Sequence, residues 1–184
     1  MKKIIAIALT LMLLCSATTV LAATDMTTPS KTTGDMTTFE VAVENPVEGK
    51  SVTLQPLYGS ALADAELAKA QNAKTLEDYF GEETAKAIMA ILGGSPIKLD
   101  EFMAIYSQGY EEGMGKATVN SKTATPYENG EKAAACFGVI KDGALTWDVF
   151  EAAGQEDGGL KFDVNTETMQ ALETETVLFA LCSK

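Results

Sequence analysis

The chain contains no histidine and no arginine: all 14 of its basic residues are lysines, set against 26 aspartates and glutamates. Without histidine the usual general base near neutral pH is missing, and with it the ordinary serine and cysteine triads and most zinc sites. Without arginine there is no planar fork to clamp a carboxylate or phosphate through two parallel hydrogen bonds. Catalysis would have to rest on carboxylates, lysine, tyrosine or a metal held by oxygen. Cysteine is scarce as well, at positions 15, 136 and 182 only.

Long apolar runs are also lacking. The one substantial run, Ile4 to Leu14, falls short of the roughly 18 residues a membrane span needs. It follows Met1-Lys2-Lys3 and precedes Val20-Leu21-Ala22-Ala23, a basic start, an apolar centre and small residues at a cleavage point. Residues 1–22 are therefore expected to be a signal peptide, cut after Ala22 or Ala23. A lipoprotein signal would place its cysteine at Cys15, but Leu14 before it is too large, so Cys15 is read as part of the apolar centre. The protein is expected to be secreted, extracellular or loosely cell-surface associated, with no stable membrane span.

After cleavage about 161 residues remain, enough for one compact domain. Twelve lysines against 26 acids give that part a charge of −14, which argues against nucleic acid as a partner. Residues 23–38 hold seven threonines with proline, serine and glycine and no apolar period; composition makes them a disordered tether. A single domain is then expected over 39–184.

Phe39, Val41 and Val43 alternate with polar residues, a half-buried strand, and Ser51 to Leu57 gives a weaker one. From Ala61 the spacing becomes helical. Thr75-Leu76-Glu77-Asp78 has the form of a helix cap, Gly93-Gly94 of a C-terminal stop, and Ser95-Pro96 of another helical start. Two to three helices are expected within 61–102. Beyond about residue 103, short β-branched and aromatic runs alternate with Gly-rich turns. Cys136 to Ile140 and Val177 to Cys182 are apolar at consecutive positions, so both strands should be covered on two faces. The expected class is α+β and β-rich: an immunoglobulin-like β-sandwich with the helical segment packed on it, and Trp147 plugging the core between the sheets.

Gly109-Tyr110-Glu111-Glu112-Gly113-Met114-Gly115, the turn Ala124-Thr125-Pro126-Tyr127 and the run Leu178-Phe179-Ala180-Leu181 resemble small secreted proteins of Gram-positive anaerobes with an immunoglobulin-like C-terminal half. The resemblance spans residues 104–184. It implies an extracellular β-sandwich and brings no catalytic, cofactor or binding residues with it.

Candidate chemistry is thin. Cys136 and Cys182, near the ends of two expected strands of an exported domain, could form a disulfide. Ser95-Pro96-Ile97-Lys98 has the S-x-x-K spacing of penicillin-recognising enzymes, yet the partner motifs are absent and capping accounts for Ser95 and Pro96. Asp163 to Glu167 opens like a calcium loop but carries Thr168 and Thr174 where glycine and glutamate belong; a looser calcium site would use Glu156, Asp157 and Asp163. No catalytic residue, cofactor or metal site is assigned. The favoured reading is a non-catalytic binding module for an extracellular protein or glycan, with Glu111, Glu112 and Met114 in one loop and Gln155, Glu156 and Asp157 in another as candidate contacts. The alternatives are a carboxylate-dependent glycoside hydrolase, built on two converging acids, and a structural envelope component.

Overall fold

The computed structural model describes residues 23–34 and 37–184. The expected signal peptide lies outside the described residues. Nine strands and four helices follow in the order β1 (Met26–Thr27), β2 (Thr38–Val43), β3 (Thr53–Leu57), α1 (Ala61–Asn72), α2 (Leu76–Phe80), α3 (Glu82–Leu92), β4 (Ile97–Gln108), β5 (Ala117–Lys122), β6 (Lys132–Lys141), β7 (Ala144–Gly154), β8 (Leu160–Val164), α4 (Thr166–Thr174) and β9 (Val177–Ser183). The β-rich α+β class holds.

All nine strands belong to one hydrogen-bonded sheet, ordered β1-β4-β9-β6-β7-β8-β5-β2, with β3 on the free edge of β4 beyond β1. Among the described residues only the β1–β4 pair is parallel. The hydrogen bonding therefore does not show the two separate sheets of an immunoglobulin-like sandwich. Instead the single sheet curls. Phe39 on β2 and Phe179 on β9 are five strand steps apart, roughly 24 Å in a flat sheet, yet their rings meet edge to face at 5.5 Å. Phe162 on β8 stacks on Phe179 at 6.3 Å, and Phe137 on β6 touches Phe179 at 5.3 Å and Phe162 at 6.1 Å. The sheet thus encloses an aromatic core, into which α4 adds Met169 and Leu172.

The outer face is divided. Along β2, β5 and β8 the alternation is clean: Val119, Phe162 and their inward neighbours are buried, while Glu40, Asn120 and Lys161 face solvent. Along β4, β9 and β6 both faces are buried, as the unbroken apolar runs require. Their outward residues, among them Phe102, Ala134, Cys136, Leu178, Ala180 and Cys182, form a second core with Leu67, Leu76, Phe80, Ile88 and Leu92 of α1–α3. Capping fixes those helices: Ser60 Oγ accepts from Ala63 N at 3.3 Å, Thr75 Oγ1 from Asp78 N at 3.2 Å, and Gly93 ends α3 at φ +73°.

Four expectations are corrected. The helical segment stops at Leu92, and 97–102 is strand, because Ile97 N donates to Asp25 O at 3.0 Å and Met26 pairs with Ile97. Residues 24–34 are not a free tether. Leu76 N donates to Thr24 O, Thr33 N to Phe102 O at 2.8 Å, and Thr33 Oγ1 accepts from Phe102 N at 2.9 Å. The segment satisfies the edge of β4 that β3 leaves open, and backbone groups there need partners. Trp147 lies on the outer face, over Gly138 of the neighbouring strand and against Phe80, and not inside the curl. Finally, no disulfide joins Cys136 and Cys182; both are free and buried. In the β6–β9 ladder Cys136 faces Ala180 and Cys182 faces Ala134, a diagonal relation of roughly 7–8 Å, beyond what a disulfide spans.

Two outcomes follow. Burial pushes the Cys136 thiol well up, with the adjacent Cys182 adding to it, so a chain of residues 23–184 should show no reactive thiols when native and two in guanidinium, measured by thiol titration; unreactivity in both states would instead mean a disulfide. Phe179→Ala, which empties the centre of the curl, should cost about 3–5 kcal/mol in chemical denaturation.

Candidate functional site

The β7–β8 connection, Gln155 to Gly159, is a tight turn. Gly158 N donates to Gln155 O at 3.0 Å and Gln155 N to Gly159 O at 2.8 Å. Gly158 sits at φ +81°, a left-handed conformation in which any side chain would be strained, and a Cβ there would come within 3.0 Å of Pro126. Tyr127 N donates to Gly158 O at 3.0 Å, docking the turn against the 126–127 segment. Asp157 completes it. One carboxylate oxygen accepts from Gly159 N at 3.1 Å and the other lies 3.2 Å from Lys122 Nζ. The Gly159 hydrogen bond first, and Lys122 next, hold its carboxyl below the usual aspartate range.

Between this turn and the outer face of β2 and β5 lies a cleft of about 610 Å³. Its walls are polar: Glu40, Asn120, Asn129, Gln155 and Glu156 among them. Ser121 also lines it and has an unusual situation. It continues the inward series Ala117 and Val119 on β5, is only 1% exposed, and its Oγ has no hydrogen-bond partner among the described residues. A buried hydroxyl left unpaired costs roughly 1–3 kcal/mol; on the inward side of β5 it faces away from the outer-face cleft, which Ser121 borders through its place on the strand. The chemistry on offer is directional hydrogen bonding to neutral donors and acceptors. The one cation of the lining, Lys122, is already held by Asp157.

No family model matches the chain, and no curated protein or solved structure is detectably similar to it. The case for this cleft therefore rests on its own geometry.

Gln155, Glu156 and Asp157, proposed from sequence, line the cleft together. Glu111, Glu112 and Met114 do not join them. Their turn leads into Ala117 at the start of β5, whereas the 155–159 turn sits beside Ser121 near its end. Met114 is 1% exposed and belongs to the core, which removes it as a contact residue; Glu111 is ion-paired with Lys50. The calcium arrangement does not form. Asp163 accepts from Thr118 Oγ1 at 2.7 Å and neighbours Lys116, at the far end of β8 from Glu156 and Asp157, and no group of three potential ligands occurs among the described residues. Ser95 and Lys98 are not one helical turn apart, since Lys98 is in β4 and pairs with Asp100 at 2.5 Å.

Residues the sequence reasoning missed are Glu40, Asn120, Ser121 and Asn129. Ser121 carried a signal, a polar residue at an inward position of an alternating run. Asn129, in Glu128-Asn129-Gly130, read only as turn chemistry.

The Asp157 carboxyl should titrate below an ordinary aspartate in side-chain carboxyl NMR, and Lys122→Met should move its midpoint up toward the ordinary value. Because its folded pKa is depressed, the turn's contribution is complete above the unfolded aspartate pKa and is lost as pH falls through the folded one.

Proposed function

We propose that the chain is an exported, non-catalytic binding module whose cleft beside the 155–159 turn takes a polyhydroxylated ligand, a glycan. The observation that carries this reading is the cleft's wall of amides and carboxylates, Asn120, Asn129 and Gln155 beside Glu40 and Glu156, with its one cation held by Asp157. Sugar hydroxyls both donate and accept, and planar amide and carboxylate groups meet them in two directions at once. The chain's negative charge and the engagement of Lys122 disfavour anionic ligands. The amino-terminal signal pattern, together with the likeness to small secreted proteins of Gram-positive anaerobes, supports an extracellular setting in which such ligands are met.

A hydrolase reading asks more of the site. One carboxyl must keep its proton near neutral pH to act as an acid, and Asp157 is shifted the opposite way. Glu40 and Glu156 project into solvent on exposed positions.

The decisive experiment is a glycan array followed by calorimetric titration of any hit against the mature domain. Asn120→Ala and Asn129→Ala should each weaken binding by about tenfold, the worth of a hydrogen bond or two. Ser121→Ala should leave binding unchanged, and stability unchanged or raised by up to about 1 kcal/mol, because it removes an unpaired buried hydroxyl on the inward face of β5. Reducing-sugar release that vanishes in Glu156→Gln would replace this reading with the hydrolase; binding indifferent to both asparagine variants would move the site elsewhere.

A further inference from the structure

On the helix-covered half of the sheet a second recess, of about 490 Å³, opens between α2 and the β6–β7 hairpin. Its volume lies in the range of small-molecule sites, roughly 300–1,000 Å³. One wall is aromatic. Trp147 stands 6.0 Å from Tyr79 and 4.9 Å from Phe80 between ring centroids, and Tyr79 and Phe80 are 4.8 Å apart. Trp147 can lie flat there because its strand neighbour is Gly138, where any Cβ would fall 2.9 Å from the indole ring.

The other wall is acidic: Glu66, Glu77 and Asp78. One lysine, Lys69, lines the recess, and it is committed to Glu66 at 2.6 Å. Three carboxylates against one ammonium leave the recess with a formal charge of −2. Within proteins an aromatic box beside carboxylates is ordinarily filled by an arginine or lysine side chain, drawn to the negative ring faces. This chain has no arginine. Two polar atoms of the wall residues, Tyr79 Oη and Glu77 Oε1, are buried with no hydrogen-bond partner among the described residues. Burial first, then the nearby Glu66 charge, pushes the Tyr79 phenol well above its usual range, so it remains a neutral hydroxyl and does not compete as an anion.

We propose that this recess binds an organic ammonium group, with the positive charge against the Trp147 ring and facing the carboxylates of Glu66 and Asp78. The site is separate from the glycan cleft, shares no lining residue with it, and would let the module engage an aminated ligand independently.

Trp147 is the only tryptophan in the chain, so its fluorescence reports on the recess directly. The mature domain is titrated with choline chloride, with sodium chloride at matched ionic strength, with glucose, and with 3,3-dimethylbutan-1-ol, the uncharged isostere of choline. Choline should give a saturable change in emission with half-saturation on the order of millimolar, and the other three should not. The pair Glu66→Gln and Asp78→Asn should raise the choline half-saturation about threefold to tenfold, with far-ultraviolet circular dichroism unchanged. Trp147→Leu should abolish saturation transfer to the choline methyl protons in NMR. An equal response to the neutral alcohol would show a merely apolar cavity, an equal response to glucose a sugar-stacking platform, and no response to choline an idle recess; each overturns the proposal.

Discussion

Phe179 sits at the middle of the molecule in every sense that matters for its shape. It stands on β9, a strand with a neighbour on each side and apolar cover on both faces, and its ring meets Phe39, Phe137 and Phe162 from three other strands. Those contacts hold the two flanks of one sheet against each other, where twist alone would leave them splayed. The inward faces of β2, β5 and β8 are one-sided and amphipathic, so without the opposing flank their apolar residues would have nothing to bury against. Because the curl brings β2 over β9, it also fixes where Glu40 and Asn120 stand relative to the 155–159 turn.

The division of the outer face sets what each half can do. On the β2–β5–β8 side no helix among the described residues covers the sheet, and the polar outward residues remain available to form the cleft. On the β4–β9–β6 side the outward residues are small or apolar, with Ala134, Cys136 and Gly138 in succession along β6. Small side chains let helices and an indole ring approach closely, and this closeness produces the aromatic recess. The two candidate sites are thus consequences of one asymmetry, the presence of α1–α3 on a single half of the sheet.

Much of the fold was legible in residue spacing. The alternation of Phe39, Val41 and Val43, the caps at Thr75 and Gly93, and the consecutive apolar residues of β6 and β9 each report a local environment that side-chain chemistry alone dictates. The threonine-rich segment was not legible. Its composition is that of a disordered chain, and its order comes from the vacant edge of β4, seventy residues away, which offers it Phe102 and Ile97 as partners. The same distant pairing turned 97–102 from an expected helical turn into strand. For the cleft, the 155–159 turn announced itself through Asp157-Gly158-Gly159, whereas Asn129 reads locally as plain turn chemistry and gains its place only where the fold sets it beside Gln155 and Glu156.

By itself, then, the sequence determined the periods, the caps and turns, the absence of histidine and arginine chemistry, and the double burial of the central strands, because all of these depend on residues close together along the chain. Tertiary structure alone decided that the strands join one curled sheet, that Cys136 and Cys182 fall diagonally out of bonding register, that Trp147 lies outside and Met114 inside, and that two loops on one strand stand at its opposite ends. Each of those depends on strand order and register, which are settled by which distant faces bury most completely against one another and not by any local pattern.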